Sequence, residues 1–434
     1  MTKPTGGLQE LRRRIYRKAK AEKEHRFWGL YVHVVKLETL EEAYRISKEN
    51  GGAPGTDGVT FDDVETYGRR RFLEEIRQEL LAGTYESKAY RKVEIPKGDG
   101  KFRKLSIPAI RDRVVQGAVK LILEAVFEAD FCPNSHGYRP KRSQHRALAE
   151  VRRSLLRRMF KVIEIDLSSY FDGIRHHILL RKIARRVQDD QLMALVKKIF
   201  KAGGKIGVPQ GGPLSPLAAN IYLNELDWEF ERMRQETEDG VYDSLNYHRF
   251  ADDMLVLVSH HWSKAWIEKW VKERLRKHLA SLDARMNEEK TKTVNTLQGE
   301  AFSFLGFDFR RVHNRRGQYY VLLTPRKKAR LKIKAEIREI FRHSGAKPIP
   351  EIIREINAVV GGWVQYFRVA NTNRAFGEVR DYLEMKVRTL LTRRKRKRKR
   401  SIGWRRWSNE YLYGVLGLYW DWKLQPLPSA TSYA

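Results

Sequence analysis

Cysteine is almost missing from this 434-residue chain, where Cys132 stands alone. One thiol excludes a disulfide framework and any cysteine-based zinc module, and it fits a reducing cytoplasm. Its simplest role is that of a small buried hydrophobe. No stretch stays apolar over the roughly eighteen residues that a membrane-spanning helix needs. Residues Met1 to Gly7 also lack the apolar core of a secretory signal. These absences predict a soluble, cytoplasmic protein. Acids are scarce as well: 53 Asp+Glu face 86 Lys+Arg, a net charge of +33. A chain that repels itself so strongly is built to meet a polyanion, nucleic acid before an anionic membrane surface. Charge alone names the partner and no chemistry. Apolar residues at 41% and aromatics at 11% suit a folded protein rather than a disordered one.

Along the chain, residues 8–28 read as a basic helix with Leu8, Leu11 and Ile15 on one stripe. The glycine-rich turn Gly51 to Gly58 lacks the Gly-Lys-Ser/Thr ending of a phosphate loop and reads as a connector. Strands are expected at 92–97 and 103–108 across the turn Gly98-Asp99-Gly100, then a helix over 112–127. Further helices are expected near 176–186, 189–202, 214–234 and 263–280. From Arg326 onward three apolar stripes predict three amphipathic helices in series. They are Ile333, Ile337, Ile340 and Phe341, then Ile352, Ile356, Val359, Trp363 and Phe367, then Phe376, Val379, Leu383, Val387 and Leu390.

Three aspartates carry the chemistry. Asp166 ends the short apolar run 160–165, and Asp252-Asp253 sit between Tyr247–Phe250 and Met254–Val258, which read as a hairpin. An Asp after a strand is ordinarily a turn former or helix cap, and an Asp pair in a hairpin is ordinarily a solvated turn. Here the flanks are apolar, and placing like charges side by side costs stability. Phosphoryl transfer needs in-line geometry and hard cations held by a few rigid carboxylates. Neighbouring strands would bring the three acids to one edge.

The strings Tyr247-His248-Arg249-Phe250-Ala251-Asp252-Asp253 and Gly207-Val208-Pro209-Gln210-Gly211-Gly212-Pro213-Leu214-Ser215-Pro216 resemble the reverse transcriptases encoded by bacterial group II introns. Other blocks match in the family's order: Glu94 to Lys97 with Arg103, Ser135 to Ser143, Asp166 to Asp172, Asn287 to Lys290, Phe304 to Phe307, and Gly362 to Phe367. The resemblance implies an α+β right hand, with fingers and an antiparallel-sheet palm followed by an α-helical thumb. It implies two Mg²⁺ held by Asp166, Asp252 and Asp253, an RNA template, a DNA primer and deoxynucleoside triphosphates. Lys97 and Arg103 would grip the triphosphate, Gln210 would line the nucleotide pocket, and Lys290 would brace the site. Tyr170 would press on the sugar, with Phe171 as the alternative. Phe250 stands where the family usually has Tyr, and Tyr170 where it usually has Phe.

The expected organisation is a basic extension over 1–35, fingers and palm over 36–315, a thumb or maturase domain over 326–392, and a basic tail over 393–434. In that tail Arg393, Arg394, Lys395, Arg396, Lys397 and Arg398 would neutralise phosphates while Trp404 and Trp407 offer stacking faces. The resemblance makes group II intron RNA a partner whose splicing is assisted. The His- and Cys-liganded endonuclease of many relatives is not expected, since neither residue occurs after His343. The alternatives are a splicing cofactor that only binds RNA, and a domesticated or defence-associated reverse transcriptase.

Overall fold

The computed structural model describes residues 6–98, 101–238, 244–369, 371–394 and 406–428, with the backbone alone at 97, 98 and 101. Contacts divide the chain into two compact units, Met1–Ser143 with Ile163–Lys292, and Gln144–Val162 with Thr293–Ala434.

The first unit is organised around the helix Ile110–Phe127, fifteen of whose eighteen residues are buried. Apolar side chains surround this helix, so it can only sit inside. The helix Leu37–Glu49 packs on it where Gly117 leaves room; a Cβ there would lie 3.1 Å from that of Ala43. Strands β1 (Arg91–Gly98) and β2 (Lys101–Ile107) form the expected antiparallel ribbon, with Val93 opposite Leu105 and Ile95 opposite Arg103.

The sheet that positions the aspartates contains β3 (Lys161–Ile165), β4 (Leu245–Phe250), β5 (Asp253–Val258) and β6 (Lys292–Asn295), in the order β4-β5-β3-β6. Met254 to Val258 are all buried, as befits an inner strand. The helix Ser215–Thr237, with a proline in its first turn, lies against β4, and the Phe230 and Tyr247 rings stack 4.1 Å apart. Helices His176–Ala184, Asp190–Gly203 and Ile267–Ser281 appear close to where the apolar spacing predicts them. The N-terminal helix is shorter than expected, Gly6–Ala21.

In the second unit β7 (Phe302–Phe304), β8 (Phe307–His313) and β9 (Tyr319–Pro325) form an antiparallel sheet in that order. The expected helices follow as Lys327–Arg342, Ile349–Phe367 and Asn373–Arg394. Their buried stripes differ by a residue from those expected: Val360 and Val364 replace Val359 and Trp363, and Leu391 replaces Leu390. The 3.6-residue turn accounts for the drift, because steps of four hold the inner face better than steps of three here. The α+β class is borne out. No helix among the described residues is long and apolar enough to cross a membrane.

Candidate active site

Phe250 pairs with Asp253, so the hairpin turns on only two residues, Ala251 and Asp252. Two-residue hairpins require a positive φ at the first central position, where glycine is the usual choice. Here that position is alanine, at φ +58°. A left-handed alanine costs about 1–2 kcal/mol, and it persists only where the surroundings hold it. Those surroundings are unusually specific. The Arg249 guanidinium is wholly buried and bridges Asp227, itself wholly buried, through Nε at 2.7 Å and Nη2. Nη1 donates to Asn220 Oδ1 at 2.9 Å and to the Ala251 carbonyl at 3.0 Å, and Nη2 donates to Ser135 Oγ at 2.7 Å. Burial disfavours the cation, but Asp227 outweighs it and holds the Arg249 pKa above its ordinary value. The segment 134–137 closes over the turn: His136 N–H donates to the Arg249 carbonyl at 2.8 Å, and Arg249 N–H donates to that of Asn134 at 3.0 Å. A Cβ on Gly137 would lie 2.5 Å from Ala251 N, so only glycine fits there.

Asp252 is half-buried and Asp253 exposed. Asp166, also half-buried, follows β3, the neighbour of β5. Its carboxylate meets Lys290 Nζ at 3.1 Å, and its carbonyl accepts the Asn287 N–H at 2.8 Å. Two tyrosines register the carboxylates electrostatically. Burial, then Asp252, raises the Tyr138 pKa, with Asp253 adding to it and Arg103 opposing. Burial above all raises that of Tyr170, four residues beyond Asp166, and Asp252 adds to it. The end of β3, the hairpin turn and β2 therefore share one neighbourhood.

Among the described residues no three His, Cys, Asp or Glu side chains converge as a cage for a metal ion. Mg²⁺ is commonly bound by one or two carboxylates, with substrate phosphates and water completing its shell. Half-buried Asp166 and Asp252, neither shut away from solvent, suit that open kind of site.

The loop carrying Gln210 lies along β2. Arg103 Nε donates to Gln210 Oε1, and Ser106 N–H donates to the Gln210 carbonyl at 2.8 Å. Val208 N–H donates to the Phe171 carbonyl at 2.8 Å, which ties the same loop to the end of the palm strand. The structure thus brings Arg103, Gln210 and Phe171 together. Tyr170 needs correction. Its side chain is buried and its hydroxyl donates to the Ala219 carbonyl at 2.6 Å, which fixes its ring in the core; Phe171 is buried as well, but its side chain has no such tie. Trp407 is corrected for a similar reason: it is buried against Tyr411 with ring centroids 4.8 Å apart, and offers no free stacking face. Arg394 donates to the carbonyls of Ser344, Gly345 and Lys347, whereas Arg393 is exposed. The Lys97 side chain, Lys395, Arg396, Lys397, Arg398 and Trp404 lie outside the described residues.

Asp227, Asn220 and Arg249 are working residues that no sequence motif above singles out. A signal was present: Asp227 shares a helix face with Leu223, Leu226 and Phe230, all buried, and an acid there demands a buried cation.

Two family models match the chain: reverse transcriptase (RNA-dependent DNA polymerase) over residues 95–309, and group II intron, maturase-specific domain over residues 330–410. The first match makes the chain a reverse transcriptase, a class that generally uses divalent metal ions and acts on nucleic acids. The chain belongs to the group II intron branch of that family, joining an RNA-directed DNA polymerase to a maturase-specific domain. It is 36% identical to Protein YkfC of Escherichia coli (strain K12) over 366 residues, covering 74% of this chain and 94% of that protein. It is 30% identical to the group II intron-encoded protein LtrA of Lactococcus lactis subsp. cremoris over 373 residues, covering 71% of this chain and 60% of LtrA. A putative COX1/OXI3 intron 1 protein of Saccharomyces cerevisiae is 28% identical over 315 residues, 60% of this chain and 37% of that protein.

Proposed function

We propose that this protein extends a DNA primer on an RNA template by two-metal nucleotidyl transfer, and that its maturase region binds group II intron RNA and assists its splicing. The observation carrying the catalytic part is the hairpin: adjacent carboxylates on a strained turn, held by a fully hydrogen-bonded buried arginine beside the strand of Asp166. Evolution has little reason to hold a solvated turn in that way.

Asp166 and Asp252, with Asp253, would hold two Mg²⁺, which supply charge neutralisation for the attacking and leaving oxygens. The protein's own groups do the positioning. Arg103, steered by Gln210, would meet the triphosphate from the fingers, aided by Lys97. Phe171, rather than Tyr170, would stand against the sugar and exclude a 2′-hydroxyl. Lys290, paired with Asp166 across an exposed gap, would hold that carboxylate until the nucleotide arrives. The thumb and basic tail would take structured RNA by its shape and phosphates. The functional domains then run as fingers and palm over 36–315, thumb over 326–392, and RNA-binding extensions at 1–35 and 393–434.

Primer extension on an RNA template with Mg²⁺ tests the catalytic reading. Activity is expected to vanish on chelation, return with Mg²⁺, and be absent from Asp252→Ala and Asp253→Ala; persistence in those variants would overturn it.

A further inference from the structure

Arg249 offers all five of its N–H donors to protein acceptors: two to Asp227, and one each to Asn220, Ser135 and the Ala251 carbonyl. A guanidinium has no more donors to give. Asp227 is likewise committed, since its Oδ1 also accepts the Tyr247 hydroxyl at 2.8 Å. Asn220 passes the network on, its Nδ2 donating to the Gly137 carbonyl at 2.8 Å. Gly137 in turn lies against the Ala251 amide. The chain of contacts starts in the helix Ser215–Thr237, passes through Arg249, and ends on both sides of one residue. That residue is the strained alanine immediately before Asp252.

An ion pair serving stability alone would not need this geometry. Replacing a buried ion pair by packed hydrophobic groups is often neutral or stabilising, so such a pair is weak grounds for a stability role. The bond that distinguishes this one goes to the Ala251 carbonyl. It opposes relaxation of the turn toward negative φ, a change that would redirect the residue that follows, Asp252.

We infer that Arg249, anchored by Asp227, is a positioning residue: it holds Ala251 in the left-handed conformation and thereby sets the direction of the Asp252 carboxylate. The inference rests on the reading of Asp252 as a metal-holding residue. Arg249 touches neither substrate nor metal and acts through the turn.

Lysine at 249 keeps the charge opposite Asp227, but its single nitrogen cannot reach Asp227, Asn220 and the Ala251 carbonyl together. Single-nucleotide incorporation on an RNA template with a DNA primer is expected to show kcat of Arg249→Lys lowered about thirtyfold or more, since small misplacements of reacting groups cost up to about 10²-fold. The KM for the deoxynucleotide should stay within about twofold, because the binding groups are elsewhere. The Mg²⁺ concentration for half-maximal rate should rise. The sharper readout is rescue. Glycine takes a positive φ freely, so adding Ala251→Gly to Arg249→Lys should raise kcat by about fivefold, and by more than Ala251→Gly changes the parent enzyme. A purely structural role gives no such rescue.

The double variant Asp227→Leu/Arg249→Met removes both charges and guards against misfolding of the lysine variant. The inference predicts a folded protein with low kcat and unchanged KM, and near-parental kcat in this folded variant or in Arg249→Lys would overturn it. Asp252→Ala, run alongside, separates the two claims. If Asp252→Ala is inactive while Arg249→Lys is near parental, the positioning role fails alone; if Asp252→Ala is active, the reading beneath it fails.

Discussion

Phe171 and Tyr170 are adjacent aromatics, with ring centroids 5.4 Å apart, and both are buried, yet only Tyr170 is held by a hydrogen bond from its side chain. Tyr170 spends its hydroxyl on the Ala219 carbonyl, while the Phe171 backbone is tied to the Gln210 loop. Phe171→Val is expected to raise ribonucleotide incorporation relative to deoxynucleotide by about tenfold, a contact-sized change in discrimination. Tyr170→Phe forfeits one hydrogen bond, worth about 1 kcal/mol of stability, and should leave that ratio in place. Competing incorporation assays with both nucleotide types check the pair. The aspartates were legible in sequence because two acids between apolar strands are anomalous, and because ordered motifs surround them. That both neighbouring aromatics are buried, and that Tyr170 is the one fixed by a hydrogen bond, was not legible, since a four-residue helix, Tyr170–Gly173, sets their direction. Nor was Trp407: a tryptophan in a basic tail reads as exposed until Arg388 is seen donating to its carbonyl.

The hairpin β4-β5 is the element on which the site depends; β5 pairs with β3, while the outer edge of β4 is met by the irregular segment 134–137. Gly137 is the point of closest approach. Gly137→Ala would drive a methyl group into the Ala251 amide, 2.5 Å away, with backbone on both sides and no flexible side chain to yield. The expected outcome is a fall in kcat of at least about tenfold, with RNA binding retained, measured by primer extension and filter binding on the same preparation. The hairpin and the long thumb helices were readable because their periods are unambiguous. The helices Leu37–Glu49 and Arg69–Leu81 were not. The second, for instance, buries only Leu73, Ile76 and Leu80 amid Arg and Glu, too sparse a stripe to stand out. The sheet β7-β8-β9 was equally hidden, because its first turn places Leu305 and Gly306 both at positive φ. Only the glycine announces such a turn.

For the whole molecule, the net charge of +33 predicts strong salt dependence of RNA binding. Part of that charge is gathered in the first unit, where a cavity of 730 Å³ is lined by Lys23, Arg26, Arg181, Arg185 and Arg186, among others. Asp130 pairs with Lys23 and Arg186, and Glu225 with Arg185. Arg26 and Arg181 show no acidic partner among the described residues. Replacing both with Gln is expected to reduce the slope of log affinity against log salt by about 1–2 for a folded RNA, as each phosphate contact contributes about 0.9. Titrations across a salt series read this directly; an unchanged slope would show that the cavity does not contact phosphate. The grouping of Gln144–Leu156 with the C-terminal unit was invisible to a linear reading, because no break in composition marks where the chain leaves one unit for the other.

The central claim is that Asp166 and Asp252 act together in RNA-templated DNA synthesis, and single-turnover incorporation of one deoxynucleotide at saturating Mg²⁺ tests it most directly. Asp166→Asn and Asp252→Asn preserve shape while removing charge. Each is expected to slow the chemical step by at least about 10³-fold, the scale of lost electrostatic stabilisation in such sites, while the primer–template still binds. Their double variant should be scarcely slower than either single one, because groups acting as a unit are not additive. Incorporation within tenfold of the parent in either single variant would contradict the account.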